Sequence, residues 1–457
     1  VAFTPENRFP KEVPMLSTKR NLLLCACFAM LLSAVGCGDD DGGGNGGSAG
    51  SSGDGGTGGN AGTGATGGTG GDAGTGATSG TGGDGGTGGD AGTGGDGGTG
   101  GDAGTGATGC EITVPTGWDS TGFETNAATE LSLRAQLLAL YARTDVATHA
   151  TPTPTGITDL TELFDAGDPS LRDVMTDTYE TITLDLFERF IPTVGVVLDP
   201  TVTWNPTPSV SDVGGRLCGP AGTDTSGCWN FTPGGVEARQ VIDKGAFEAA
   251  LYHQAYLLST GDITPATIDR VAALFGANAD FDVDGTNVHA ANYAKGMGFY
   301  GVVRGHLIAA KAYAADAPNC ATQRDEALAA ALLSWEQSQY ARFVYYANRA
   351  FTVYASGTAT QAQNAETLHW LAEGLGLIYG FKGLPTDARV ITDSEIDAIL
   401  TLMKMPTIEG ATLYEFFQGE ADDLDDIEEA FDSIQDIYDF TDTQMNDLFR
   451  VMTPVAG

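Results

Sequence analysis

The sequence predicts an all-α domain, a multi-helix bundle of about ten helices, preceded by a lipoprotein signal and a disordered Gly-rich tether. Three observations predict it. Apolar residues recur at helical spacing, as in Leu131, Leu133, Leu137, Leu138 and Tyr141, and again in Leu328, Leu332, Trp335, Phe343, Tyr346, Ala350 and Val353. Pairs with the spacing of capping boxes recur near the end of the chain: Thr392 with Glu395, Thr412 with Glu415, and Thr441 with Gln444. No stretch sustains the apolar–polar alternation of a half-buried strand.

Taken in chain order, residues 1–14 read as lying upstream of a start at Met15. Lys19-Arg20, the apolar run Leu22–Val35 and the sequence Ala34-Val35-Gly36-Cys37 then give residues 15–36 the form of a signal peptide with a lipid-modified Cys37 after the cut. The apolar run is shorter than the roughly 20 residues of a membrane span. Acyl chains on Cys37 would anchor firmly, at about 0.8 kcal/mol per buried methylene. Residues 38–109 are almost only Gly, Thr, Ala, Asp and Ser, and Asp84, Asp90, Asp96 and Asp102 each follow Gly-Gly. Calcium-binding glycine repeats carry an apolar residue in each repeat and this stretch has none, so it reads as a spacer with a root-mean-square span of roughly 45–50 Å.

Residues 110–457 form the expected folded domain. Its first helix is predicted over 124–143. A second opens at Asp168-Pro169 and runs to Phe190, stopping before Pro192. From 192 to 235 the chain is rich in Pro, Gly, Thr and Ser, an ordered excursion pinned by a disulfide. Helices return over 236–259, after Thr264-Pro265 and over 296–317, where Gly296, Gly298, Gly301 and Gly305 suggest close helix packing. The longest helix ends at Gly357, another spans 361–381, and the three capping pairs start the last ones.

Cys25 and Cys27 leave with the signal, so Cys110, Cys218, Cys228 and Cys320 remain, an even number that fits disulfides in an exported protein. Cys218 and Cys228 bracket a short loop that closes easily, which leaves Cys110 for Cys320. The domain carries 18 Lys and Arg against 49 Asp and Glu. Such a surface repels nucleic acid and suits cationic ligands. The chain has five histidines and lacks the H-E-x-x-H, P-loop and dinucleotide motifs, and G-x-S-x-G is absent from the domain.

Glu366, His369 and Glu373 fall within a roughly 60° arc of the helix at 361–381, flanked by apolar stripes on both sides. Buried carboxylates beside an imidazole need a metal or cationic side chains. The stripe is therefore either a metal or ligand site or a structural network paired with Lys or Arg from another helix. His306 is either a further member of that site or a satisfied core histidine. Lys244 and Glu248, four residues apart, are expected to bridge. Asp280, Asp282 and Asp284 start like a calcium loop, but Ala291 stands where its bidentate Glu belongs, so the alternative is an Asp-rich turn. Residues 420–442 hold eleven carboxylates and no Lys or Arg. Leu424, Ile427, Phe431, Ile434 and Tyr438 make that stretch an amphipathic helix with a solvated acidic face, or a loose divalent-cation site.

The order of Ile242-Asp243-Lys244-Gly245-Ala246-Phe247, Tyr252-His253-Gln254, Ser334-Trp335-Glu336, His369-Trp370-Leu371-Ala372-Glu373-Gly374 and Asp393-Ser394-Glu395-Ile396 resembles a family of helical bacterial envelope lipoproteins defined by a domain of unknown function. In setting it is similar to imelysin-type proteins, which are helical, iron-regulated and carry a Gly-x-His-x-x-Glu motif. Here the step from His369 to Glu373 is one residue longer. The resemblance covers about 236–405 and implies an envelope setting. The expected function is a lipid-anchored envelope binding protein for iron, another cation or a cationic ligand. The alternatives are a structural or protein-interaction lipoprotein, and an imelysin-type metal-dependent hydrolase. The expected partners are the membrane, through the anchor, and an envelope protein; the expected location is the cell envelope, on the outer membrane.

Overall fold

The longest helix, Ala317–Ala355, organises the domain. Its Ala, Leu, Gln, Glu and Arg residues are good helix formers, Pro318 sits in the first turn, and the helix ends two residues before Gly357, whose φ of 63° only glycine adopts without cost. The computed structural model describes residues 109–144, 156–198, 214–219, 227–418 and 420–450. Residues 1–108 lie outside these, and with them the signal, Cys37 and the spacer.

In chain order the α-helices are α1 Phe123–Asn126, α2 Ala128–Thr144, α3 Ile157–Phe164, α4 Leu171–Val174 and α5 Asp177–Leu198. A hairpin follows, β1 Gly215–Cys218 and β2 Cys228–Phe231. Then come α6 Ala238–Ala246, a π-helical turn Phe247–Tyr252, α7 His253–Ser259, α8 Pro265–Phe275, α9 His289–Gly296, α10 Tyr300–Ala315 and α11, the long helix. The chain closes with α12 Gln361–Tyr379, α13 Asp393–Leu402, a 3₁₀ turn Leu413–Gln418, α14 Ala421–Tyr438 and a π-turn Gln444–Phe449. The fold is all-α. The count exceeds ten because α3 and α9, eight residues each, are too short for a hydrophobic period to register, and because the helices expected over 124–143, from Asp168-Pro169 and over 236–259 each divide in two.

Several boundaries differ from expectation. Ser170, not Asp168, caps α4, and the expected second helix breaks at Met175 before α5 begins. α5 then continues through Pro192 to Leu198. The excursion contains an antiparallel hairpin in which Cys218 faces Cys228. Its alternation lasts only four residues per strand, below what a sequence pattern resolves. Thr264 and Thr392 cap their helices, and Thr441 and Gln444 exchange the expected bonds. Thr412 instead receives the Glu415 amide through its backbone carbonyl. Both disulfides form as expected, Cys218–Cys228 and Cys110–Cys320.

α11 packs against α10 and α12, and α12 packs against α6. Glycines set the last contact. A Cβ on Gly376 would lie 2.9 Å from Lys244 Cβ and 3.0 Å from the Gln240 carbonyl, and one on Gly380 would strike the Gly245 backbone. By contrast, Gly301 and Gly305 of α10 face open space and mark no close contact, whereas a Cβ on Gly296 would lie 3.2 Å from Arg342 Nη1. α14 buries Ile427, Phe431 and Ile434; Asp423 and Asp426 bridge Lys404, and Asp422, Asp425, Glu428, Glu429, Asp432 and Asp436 are exposed.

Candidate functional site

The close approach of α6 and α12 builds a buried ionic network. His369 and Glu373 come from α12, Asp243 and Lys244 from α6, and Glu237 from the residue that precedes α6. His369 Nδ1 lies 2.7 Å from Glu237 Oε2, and its Nε2 lies 3.8 Å from Glu373 Oε2. Lys244 Nζ is 3.5 Å from Glu373 and 3.3 Å from Asp243. Trp229 of β2, next to the Cys228 disulfide, stacks on the imidazole with ring centroids 4.5 Å apart. Thus the hairpin and α6 together fix the ring.

Electrostatics explain how this cluster tolerates burial. Burial alone would raise the Glu373 carboxyl, but His369, Lys244, Arg342 and a hydrogen bond from Tyr346 outweigh it and hold its pKa below the usual value. Asp243 is raised, because burial exceeds the help from Lys244. The cations lean on aromatic faces: Arg239 lies 4.0 Å over the Tyr141 ring, Lys244 4.8 Å over Tyr293 and Arg342 4.6 Å over Tyr346.

The expected metal set does not assemble. Among the described residues no group of three or more His, Cys, Asp and Glu side chains is placed to hold a metal ion. Glu366, a turn before His369, stays half-buried. His306 sits on α10, which packs on α8, α9 and α11, whereas His369 sits on α12, which packs on α6 and α11. Lys244 and Arg342 already supply the positive charge a cation would bring to Glu373. In the Asp280–Asp284 segment, the Asn278 side-chain oxygen accepts from the Asp280 and Asp282 amides, which makes it the Asp-rich turn.

The expected Lys244–Glu248 bridge is also absent. The helix widens into its π-turn at Phe247, which takes Glu248 out of register. Both Glu248 carboxylate oxygens are buried without a hydrogen-bond partner, and burial raises this carboxyl well above the usual range.

A second site was not anticipated. An open cavity of about 380 Å³ lies between α7, α11 and the loop before α13. Ile263, Leu328 and Leu332 give it an apolar floor, with Glu336 beside them. Glu336 is 1% exposed; it accepts from the Val390 and Ile391 amides at 3.0 and 3.2 Å and from the Tyr438 hydroxyl at 2.7 Å. Burial, the largest influence, raises its pKa despite these donors. The available signal was a Glu directly after Trp335, beside the apolar stripe of the longest helix.

Comparison with known proteins gives no relative: no family model, curated protein or solved structure matches the chain.

Proposed function

We propose that the chain is a lipid-anchored binding protein of a bacterial cell envelope, attached through Cys37 to the outer membrane, facing the periplasm or the surface. One observation carries binding over catalysis: the His369–Glu373 centre is neutralised from within by Lys244, which spans Glu373 and Asp243. A general base or metal-bound nucleophile needs a free position facing substrate, and this centre offers its charges to each other. The two disulfides fit an oxidising compartment. No helix among the described residues is long and apolar enough to cross a membrane. The order of short motifs over 236–405 supports the envelope setting.

Detergent phase partitioning of the protein expressed in a bacterium tests the anchor. The wild type should enter the detergent phase and Cys37→Ser the aqueous phase; equal partitioning of the two would end the anchored reading. Added iron, zinc or calcium should leave the melting temperature unchanged, and a rise that Glu373→Gln abolishes would restore the metal reading.

A further inference from the structure

The cavity beside Glu336 combines three features. Its rim is apolar and exposed: Leu333 is 38% and Val390 49% exposed, two of the few large apolar side chains on this surface. Its lining carries Asp325, Glu336 and Asp387 against Arg389, in a domain already strongly negative; Arg324 bridges Asp325 at 2.8 Å, which leaves Asp387 as the exposed carboxylate of the rim. Finally, Arg389 has a donor to spare. Its side chain is 1% exposed, and Nη2 reaches Asp393 at 2.8 Å and the Leu384 carbonyl at 3.2 Å. Nη1 is buried without an acceptor.

We propose that this cavity binds a peptide segment of a partner protein in which an apolar side chain stands next to a lysine or arginine. The apolar side chain fills the floor of Ile263, Leu328 and Leu332 and covers Leu333 and Val390. The basic side chain meets Asp387 on the exposed rim; Asp325 beside it is already bridged by Arg324 at 2.8 Å and is not the receptor. A peptide carbonyl supplies the acceptor that Arg389 Nη1 lacks. An alkylammonium would satisfy the first two features but not the third. A free carboxylate would meet the acidic lining. Glu336 is not the cation receptor, since two amides and a hydroxyl already occupy it. This inference deepens the binding reading and rests on it, but does not depend on the anchor.

Fluorescence anisotropy of the purified full chain with labelled Gly-Leu-Lys-Leu-Lys tests it. Saturable binding is expected. Gly-Ser-Lys-Ser-Lys should bind at least about tenfold more weakly, the loss of one buried leucine. Leu333→Asp and Asp387→Lys, both at exposed positions, should each weaken binding about fivefold or more while keeping the wild-type circular dichroism. Absence of saturation by millimolar peptide overturns the proposal. So does equal affinity for the serine peptide, which would mean general attraction to an acidic surface, or dodecylammonium binding at these residues without peptide binding. The peptide comparisons need no variant, so they decide even if a substitution impairs folding. Detergent partitioning scores Cys37 separately, so failure of the anchor and failure of the cavity give different results.

Discussion

Glu373 and Glu336 are both buried carboxylates on central helices, yet the protein satisfies them in opposite ways. Around Glu373, charge comes from its own helix and from two neighbours: His369 of α12, Lys244 of α6 and Arg342 of α11 hold its pKa below the usual value, and glycine contacts seal α6 against α12. Around Glu336 the donors are two backbone amides and a phenol, and the space beside them opens to the surface. Charge pairing closes a site, because each partner needs the other dry and near. Backbone donors satisfy a carboxylate without enclosing the space beside it, and so we place a ligand in the cavity rather than at the conspicuous histidine.

The comparison is sharpest when one acceptor is removed from each region. Glu237→Ala strips the carboxylate from His369 Nδ1 inside the closed network, at a pair in which both side chains are 2% exposed. Loss of one partner of a buried pair costs about 3–5 kcal/mol, read from urea denaturation midpoints. Glu336→Ala leaves two amides and the Tyr438 hydroxyl without their acceptor, but water from the open cavity can replace it. The expected loss is about 2 kcal/mol. If Glu336→Ala proves the more damaging, the distinction between closed and open carboxylates fails.

The smallest effect concerns Glu248, which neither arrangement serves. Its folded pKa lies well above its ordinary value of 4.5 because of burial. A raised acid favours the fold below the unfolded pKa, and that advantage is lost as pH rises toward the folded pKa. Glu248→Gln should therefore match the wild type near pH 4 and become the more stable protein by pH 8. Parallel urea titrations at the two pH values give the answer; a variant weaker than wild type at pH 8 would show that Glu248 has an ionic partner after all.

The helical architecture was legible because periodicity and caps are local. Thr264, Thr392 and Thr441 start their turns within four residues of the partners that prove it. The burial of His369 and Glu373 was legible for the same reason, since flanking apolar stripes enclose a helix on any fold. What surrounds them was not. Glu237 lies 132 residues from His369 in sequence, and its approach depends on Gly376 and Gly380 fitting against α6. Helical spacing placed Glu366 on the same stripe, but a stripe does not say which residues meet a neighbour. The α10 glycines misled in turn: small residues permit contact without creating it, and α10 presents Gly301 and Gly305 to open space. Nor does a hydrophobic period reveal the π-turn at Phe247, which separates Glu248 from Lys244.

The Cys110–Cys320 bridge joins residues 210 apart, and it ties the first turn of the folded domain's longest helix to the residue where the glycine-rich stretch ends. A pull on the chain ahead of Cys110 therefore enters the domain at two points at once, the Cys110 backbone and, through sulfur, α11. For a load borne by residues beyond Cys320, the helices between the two cysteines sit inside a covalent loop that the bridge shields from tension along the chain. Mechanical load on an anchored molecule would thus bypass α1 to α10, and reduction of a single bond would transfer it to them.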